Sequence, residues 1–358
     1  DYSFSANGIV YGKDRGPSPK MQEVKYNYQN IEVTFEGLPV QQETPGCCGE
    51  HSEVAKDTEG RTEILVKNRH LFTGTDAFQC IVTVQRDGTL MERISLETDV
   101  PPLSERRYEL PLSTQQKEDR EYAVTVTFTQ KEDLPWADRG FPIAHAQSVY
   151  RIGKSAMQHI PAEGQALQVQ VIRGHNNIGV KGESFEVLFS HLVGGLVSYR
   201  YAGVELLKDI PMPNFWRAPV DNDRGSGIPF RHGVWKLASL YATHKEFRNH
   251  EAAPYYPMRR PSLEVDPLGL SATITYEYLL PTDPVTSCFV SYQVFGDGTV
   301  ETTLTYDMGD GKLPPMPEFG MLMKVDADYD QVEWYGLGPE ETYADRQEGA
   351  LLSIYKTT

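Results

Sequence analysis

The sequence predicts an all-β protein: an Ig- or fibronectin-like β-sandwich followed by a larger antiparallel β-sandwich. Three observations carry this. Apolar and polar residues alternate with a period of two through most of the chain. Helical periodicity is scarce. Turn signals separate the strand-like runs at short, even intervals.

The runs come in order. "IEVTFEGLPV" (31–40), "TEILVKNRH" (62–70), "FQCIVTVQRDGTL" (78–90) and "EYAVTVTFTQ" (121–130) alternate and are rich in Val, Ile, Thr, Phe and Tyr, as half-buried strands should be. Asp87-Gly88 carries the hairpin signal inside the third. "ISLETDVPPLSERRYELP" (94–111) reads as strand, edge, strand. Residues 1–150 are thus the first sandwich and 151–165 a connector. From 166 to 358 the strands lengthen, beginning with "ALQVQVIRG" (166–174). "SATITYEYLL" (271–280) precedes a hairpin over 287–308 that turns at Gly296-Asp297-Gly298. The best helical pattern is "GVWKLASLYATHKEF" (233–247), with Val234, Leu237, Leu240 and Tyr241 at helical spacing. No repeat of 20–50 residues is visible.

Composition excludes several classes. The chain has 358 residues, 39% hydrophobic and 11% aromatic, a globular balance rather than a disordered one. It has 50 acidic against 34 basic residues, a net charge of −16. Phosphate-backbone binding needs the opposite sign, so no nucleic-acid partner is expected. No apolar run approaches the ~20 residues of a membrane span. The chain opens "DYSFSANGIV" without Met, as a mature end or a piece of a longer polypeptide would. Cys47, Cys48, Cys80 and Cys288 show no C-x-x-C spacing and read as reduced thiols. That leans toward a cytoplasmic location, with a periplasmic or secreted one left open.

Two stretches could carry chemistry. The first is "NFWRAPVDNDRG" (214–225), with Phe215, Trp216, Arg217, Asp221, Asn222 and Asp223. A calcium loop would want a bidentate Glu at its twelfth position, where His232 stands. A structural turn is favoured, with Asp and Asn capping it and Arg217 pairing Asp221 or Asp223. A sugar contact, with aromatic faces on the ring and carboxylates on hydroxyls, is the third reading. The second stretch is "WYGLGPEETYADR" (334–346), with Trp334, Gly338, Pro339, Glu340, Glu341, Tyr343, Asp345 and Arg346. Glycoside hydrolysis needs two carboxylates facing the scissile bond, and the sequence singles out no such pair. Gly-x-Ser-x-Gly is absent and the nine histidines form no triad pattern. Asn68 and His70 read as an ordinary strand edge.

Taken together, these stretches resemble the large β-galactosidases of glycoside hydrolase family two. "ANGIVYGKDRGPSPKMQEVKYNYQNIEV" (6–33) resembles the segment after that family's catalytic barrel, and "VKNRHLFTGTDAFQCIVTVQRDG" (66–88) the next strand pair. "NFWRAPVDNDRG" is similar to the F-x-RAP-x-DND-x-G signature that opens the large C-terminal sandwich. "LPPMPEFGM" (313–321) looks like its P-R-x-G strand, and "VEWYGLGPEETYADRQEGA" (332–350) like its W-x-G-x-GP-x-E-x-Y-x-DR loop. The resemblance implies a supersandwich of galactose-mutarotase type, incomplete at the C-terminus. It implies that both catalytic glutamates and the magnesium and sodium ligands lie upstream, so no catalytic or metal-binding residue is expected in this chain. The family's active-site tryptophan falls beyond residue 358. The implied partners are the barrel of the same polypeptide, a β-galactoside such as lactose, and further copies of the parent as a homo-oligomer. The thirteen residues of the two loops other than Glu340 and Asn214 that carry the motifs become candidates for structural or barrel-mouth roles. A stand-alone carbohydrate-binding sandwich is the alternative. A β-glucuronidase or β-mannosidase parent fits less well, because the RAP-DND sandwich is not their shared feature. Cys47-Cys48 and the surrounding insert match no motif.

Overall fold

A computed structural model describes residues 8–11, 14–38, 62–115, 117, 120–152, 167–244, 260–307, 311–343 and 345–358. They form two compact units: residues 8–152 with 331–358, and residues 167–330. The insert around Cys47-Cys48 lies outside the described residues, as does most of the connector.

The first unit opens with a short helix, α1 (Lys20–Asn27), and continues in strands β1 (Ile31–Glu36), β2 (Glu63–Asn68), β3 (Phe78–Arg86), β4 (Thr89–Leu96), β5 (Ser104–Glu109), β6 (Arg120–Gln130) and β7 (Pro142–Ile152). They make two antiparallel sheets, ordered β1-β2-β5 and β4-β3-β6-β7. Alternation explains the core. Ile31, Ile64 and Val66 of one sheet face Val82, Val124, Val126 and Phe128 of the other, all essentially inaccessible. The chain changes sheets at Val100-Pro101, where "TDVPPL" interrupts the strand pattern. The β3–β4 hairpin turns at Asp87-Gly88 with φ of +48° and +77°, the left-handed pair an Asp-Gly turn supplies. Tyr122 stacks on Tyr150 with centroids 5.6 Å apart. Its hydroxyl accepts the Lys117 N–H at 2.8 Å, the corner device of Ig-type sandwiches.

The second unit carries a five-stranded meander: β8 (Gln170–Arg173), β9 (Asn177–Lys181), β10 (Phe185–Ser190), β11 (Leu196–Tyr201) and β12 (Val204–Glu205). After β13 (Met212–Asn214) come three short helices, α2 (Asp221–Gly225), α3 (Ile228–Arg231) and α4 (Val234–Tyr241). A four-stranded meander follows: β14 (Ser262–Val265), β15 (Ser271–Leu280), β16 (Thr286–Phe295) and β17 (Val300–Tyr306). Strand β18 (Gly320–Leu322) pairs β13. The two meanders share a core in which Phe189 meets Tyr292 at 5.4 Å, and the Tyr276 hydroxyl donates to the Ser190 carbonyl at 2.9 Å.

Helix α4 lies within the expected 233–247 stretch, but its buried face is not the expected one. Trp235 and Ala238 point inward, while Leu237, Leu240 and Tyr241 are exposed. The reason is the indole. It fills the gap beside Phe215 and Tyr306 and donates Nε1–H to the Pro314 carbonyl at 2.8 Å.

The sequence reading runs the second domain to residue 358. In the structure the last hairpin, β19 (Val332–Gly338) and β20 (Leu351–Thr357), hydrogen-bonds to the four-stranded sheet of the first unit. Gln147 donates to the Leu352 carbonyl at 3.1 Å and accepts its N–H at 2.7 Å. Gln85 donates to Ser353 at 3.1 Å, and Tyr335 donates to Glu121 at 2.8 Å. This cover explains why Ala123 and Thr125 are buried although they face away from the sandwich core.

Cys80 and Cys288 are free and buried, and burial pushes each thiol up to about 12. Neither therefore reacts with an alkylating reagent at pH 8 until its unit unfolds. Peptide mapping after labelling checks this, and native labelling of Cys80 or Cys288 would contradict it.

Candidate functional site

In the second unit the motif loop begins in the core. Phe215 is fully buried, with ring centroids 5.8 Å from Trp235 and 6.1 Å from both Tyr306 and Phe319. Its N–H is accepted by Ser239 Oγ at 2.8 Å, which ties the loop to α4. Trp216 is half-buried against the same core, and Asn214 donates to its carbonyl at 2.9 Å.

Next comes the charge. Arg217 holds Asp223 with both terminal nitrogens, at 2.6 and 3.1 Å. This is the planar fork that guanidinium and carboxylate share. The side chain of Asp223 is 9% exposed and that of Arg217 35%. Asp223 also accepts the Val220 N–H at 3.0 Å. Asp223 is the third residue of α2, and an acidic side chain there reaches back to the preceding amide. Asp221 and Asn222, at the first two positions, point to solvent. The two alternative partners for Arg217 thus resolve to Asp223. Arg217 and the amide hold the Asp223 carboxyl below the usual carboxylate range, against the opposing pull of burial.

The stretch does not present a calcium loop. Asp221–Gly225 is helical, Asp223 is neutralised by Arg217, and His232 bonds the Pro315 carbonyl through Nδ1 at 2.8 Å. Among the described residues, no group of three or more His, Cys, Asp or Glu side chains is placed to hold a metal.

The other motif loop closes β19 onto β20 in the first unit. Trp334 packs on Tyr355 at 5.4 Å. Gly338 is buried, and the Gly338–Pro339 peptide is cis, with Pro339 exposed. Arg346 reaches Glu341 at 3.0 Å and lies over the Tyr343 ring at 5.2 Å. Tyr343 and Arg346 also exchange backbone hydrogen bonds, at 3.2 and 2.8 Å. Tyr343 and Asp345 are exposed. In both loops, then, one carboxylate of the motif is engaged by an arginine a few residues away. That arrangement fixes each loop's geometry.

Gly338 is close to Tyr355: a Cβ there would lie 2.7 Å from the ring. Gly338→Ala is expected to destabilise the first unit by about 1–3 kcal/mol through overpacking. Calorimetric unfolding measures it, and an unchanged transition would mean the hairpin does not depend on this approach.

One residue matters more than its sequence context indicated. Asn68 is buried, and its amide donates to the carbonyls of Thr73 at 2.8 Å, Val100 at 3.0 Å and Pro101 at 3.2 Å. Its oxygen accepts the His70 N–H at 3.0 Å. The only local signal was an Asn at a strand end ahead of a turn.

Comparison with known proteins adds to this geometry. Residues 181–358 match a family model described as β-galactosidase small chain, and residues 64–150 one described as β-galactosidase domain 4. A β-galactosidase of Halalkalibacterium halodurans is 40% identical over 99% of this chain, and one of Clostridium acetobutylicum 35% identical over 100%. A β-galactosidase small subunit of Latilactobacillus sakei is 33% identical over 53% of this chain and 61% of its own length. The chain spans 31% and 35% of the first two relatives.

Proposed function

The chain belongs to the β-galactosidase family, and from that premise we propose that it is the non-catalytic C-terminal part of a retaining β-galactosidase of glycoside hydrolase family two. The parent hydrolyses terminal β-D-galactosides such as lactose. One glutamate acts as nucleophile and a second as acid/base, both in a barrel outside these residues. Magnesium and sodium belong to that barrel as well. The role of this part is shape: two sandwiches that support the barrel and frame its mouth, in a soluble enzyme that assembles as a homo-oligomer.

The observation that carries this is the Arg217–Asp223 pair. The most specific motif in the chain commits its buried carboxylate to an arginine six residues away and to a backbone amide. Such a group builds a loop.

Calorimetric titration of the 358-residue chain with galactose and with lactose tests the reading against a stand-alone sugar-binding module. No saturable heat is expected up to tens of millimolar, concentrations that would reveal even the millimolar affinities of a weak site. Saturable binding by the chain alone would favour the module.

A further inference from the structure

Among the described residues of the first unit, several large apolar side chains stand exposed around one groove. Phe72 is 91% exposed, Leu71 64% and Trp136 63%, and Leu134 is also exposed. Trp136 and Leu134 line one open groove with His70, Thr73 and Phe78. Leu71 and Phe72 sit on the loop between His70 and Thr73. Phe141 meets Trp136 edge-on at 6.1 Å and extends the face. At ~150–250 Å² for a whole aromatic side chain, the exposed apolar surface summed over these residues is on the order of 500 Å². Monomers leave a face of that size open mainly where something binds.

The face is held rigidly. Asn68 ties its loop to Thr73, Val100 and Pro101. His70 bonds Asn68 Oδ1 through Nδ1 at 2.8 Å and stacks on Phe78. The Trp136 turn is closed by paired bonds between Leu134 and Ala137 and by Arg139 N–H to Asp133 at 2.7 Å. The polar neighbours are partly engaged: Lys131 donates to the Asp76 carbonyl at 2.6 Å. A sugar subsite would pair its aromatic ring with free donors and acceptors. This groove is mainly apolar, as a protein-docking surface is.

We propose that this face docks the catalytic region of the same polypeptide, with Phe72 and Trp136 as its anchors. The inference rests on the functional reading above. Its occupant follows from length: the chain makes up 31–35% of the relatives it matches end to end, so most of such a polypeptide lies outside it. A covalently joined domain needs no affinity beyond what its high effective concentration supplies.

Hydroxyl-radical footprinting of the full gene product beside the 358-residue chain tests this. Phe72 and Trp136 are expected to oxidise several-fold more slowly in the full product. In parallel, the double variant Phe72→Ser/Trp136→Ser should leave the melting temperature of the 358-residue chain unchanged and lower that of the full product. Equal oxidation of both residues in an active full product overturns the inference and leaves the functional reading standing. Protection that appears in the short chain as its concentration rises makes a second copy the occupant and also overturns it. A full product without β-galactosidase activity removes the premise and the inference together.

Discussion

Phe215→Ala is expected to destabilise the second unit by about 3–5 kcal/mol, the range for emptying a fully buried phenylalanine site. The ring touches Trp235, Tyr306 and Phe319, which come from α4, from β17 and from the segment before β18. Three aromatic neighbours cannot collapse into the space without leaving their own packing. For a unit of this size, each kcal/mol lowers the midpoint by roughly 2–4 °C, so a fall on the order of 10 °C is expected. The first unit has its own core and its transition should not move. Calorimetry resolves the two. A fall of less than about 2 °C in the second transition would mean that the loop is held by its charges alone.

Arg217→Ala is expected to cost about 2 kcal/mol. Breaking a buried pair costs roughly 3–5 kcal/mol, and Arg217 is exposed enough for solvent to screen part of that. The larger share of the loss comes from leaving Asp223 buried without its partner. Asp223→Asn should therefore be milder, because it removes the stranded charge together with the pair. The pH dependence has a definite sign. The folded-state pKa of Asp223 is depressed by Arg217. Its contribution is thus fully present above the unfolded aspartate value near ~3.9 and is lost as pH falls through the lower folded value. Urea midpoints of wild type and Asp223→Asn should converge as pH falls below about 4 and through the depressed folded value. A difference that stays constant down to pH 2 would contradict the assigned pair.

Much of this fold was legible because strand burial has a period of two. "SATITYEYLL" is β15 to the residue, with Ala272, Ile274, Tyr276 and Tyr278 all inward. Asp87-Gly88 placed a hairpin from two residues. What stayed hidden depends on distant partners. Nothing local says that Trp235 rather than Leu237 turns inward on α4, because the choice is made by Phe215 and Pro314. Gln147 is an unremarkable polar residue on β7 until Leu352, 205 positions later, presents its amide and carbonyl. Asp221 and Asp223 are equivalent on paper. Only the helical turn makes the third position, and not the first, face back toward the Val220 amide and Arg217. The motif loops stand out by their residues and by resemblance, but nothing local distinguishes which of their carboxylates an arginine engages.

The measurement that bears most directly on the central claim is hydrolysis of nitrophenyl β-D-galactoside by this 358-residue chain alone, beside the product of its full gene. The account predicts turnover by the full product and none by the chain. Turnover by the chain itself, retained through repurification, would place a catalytic carboxylate pair within these residues and contradict the account.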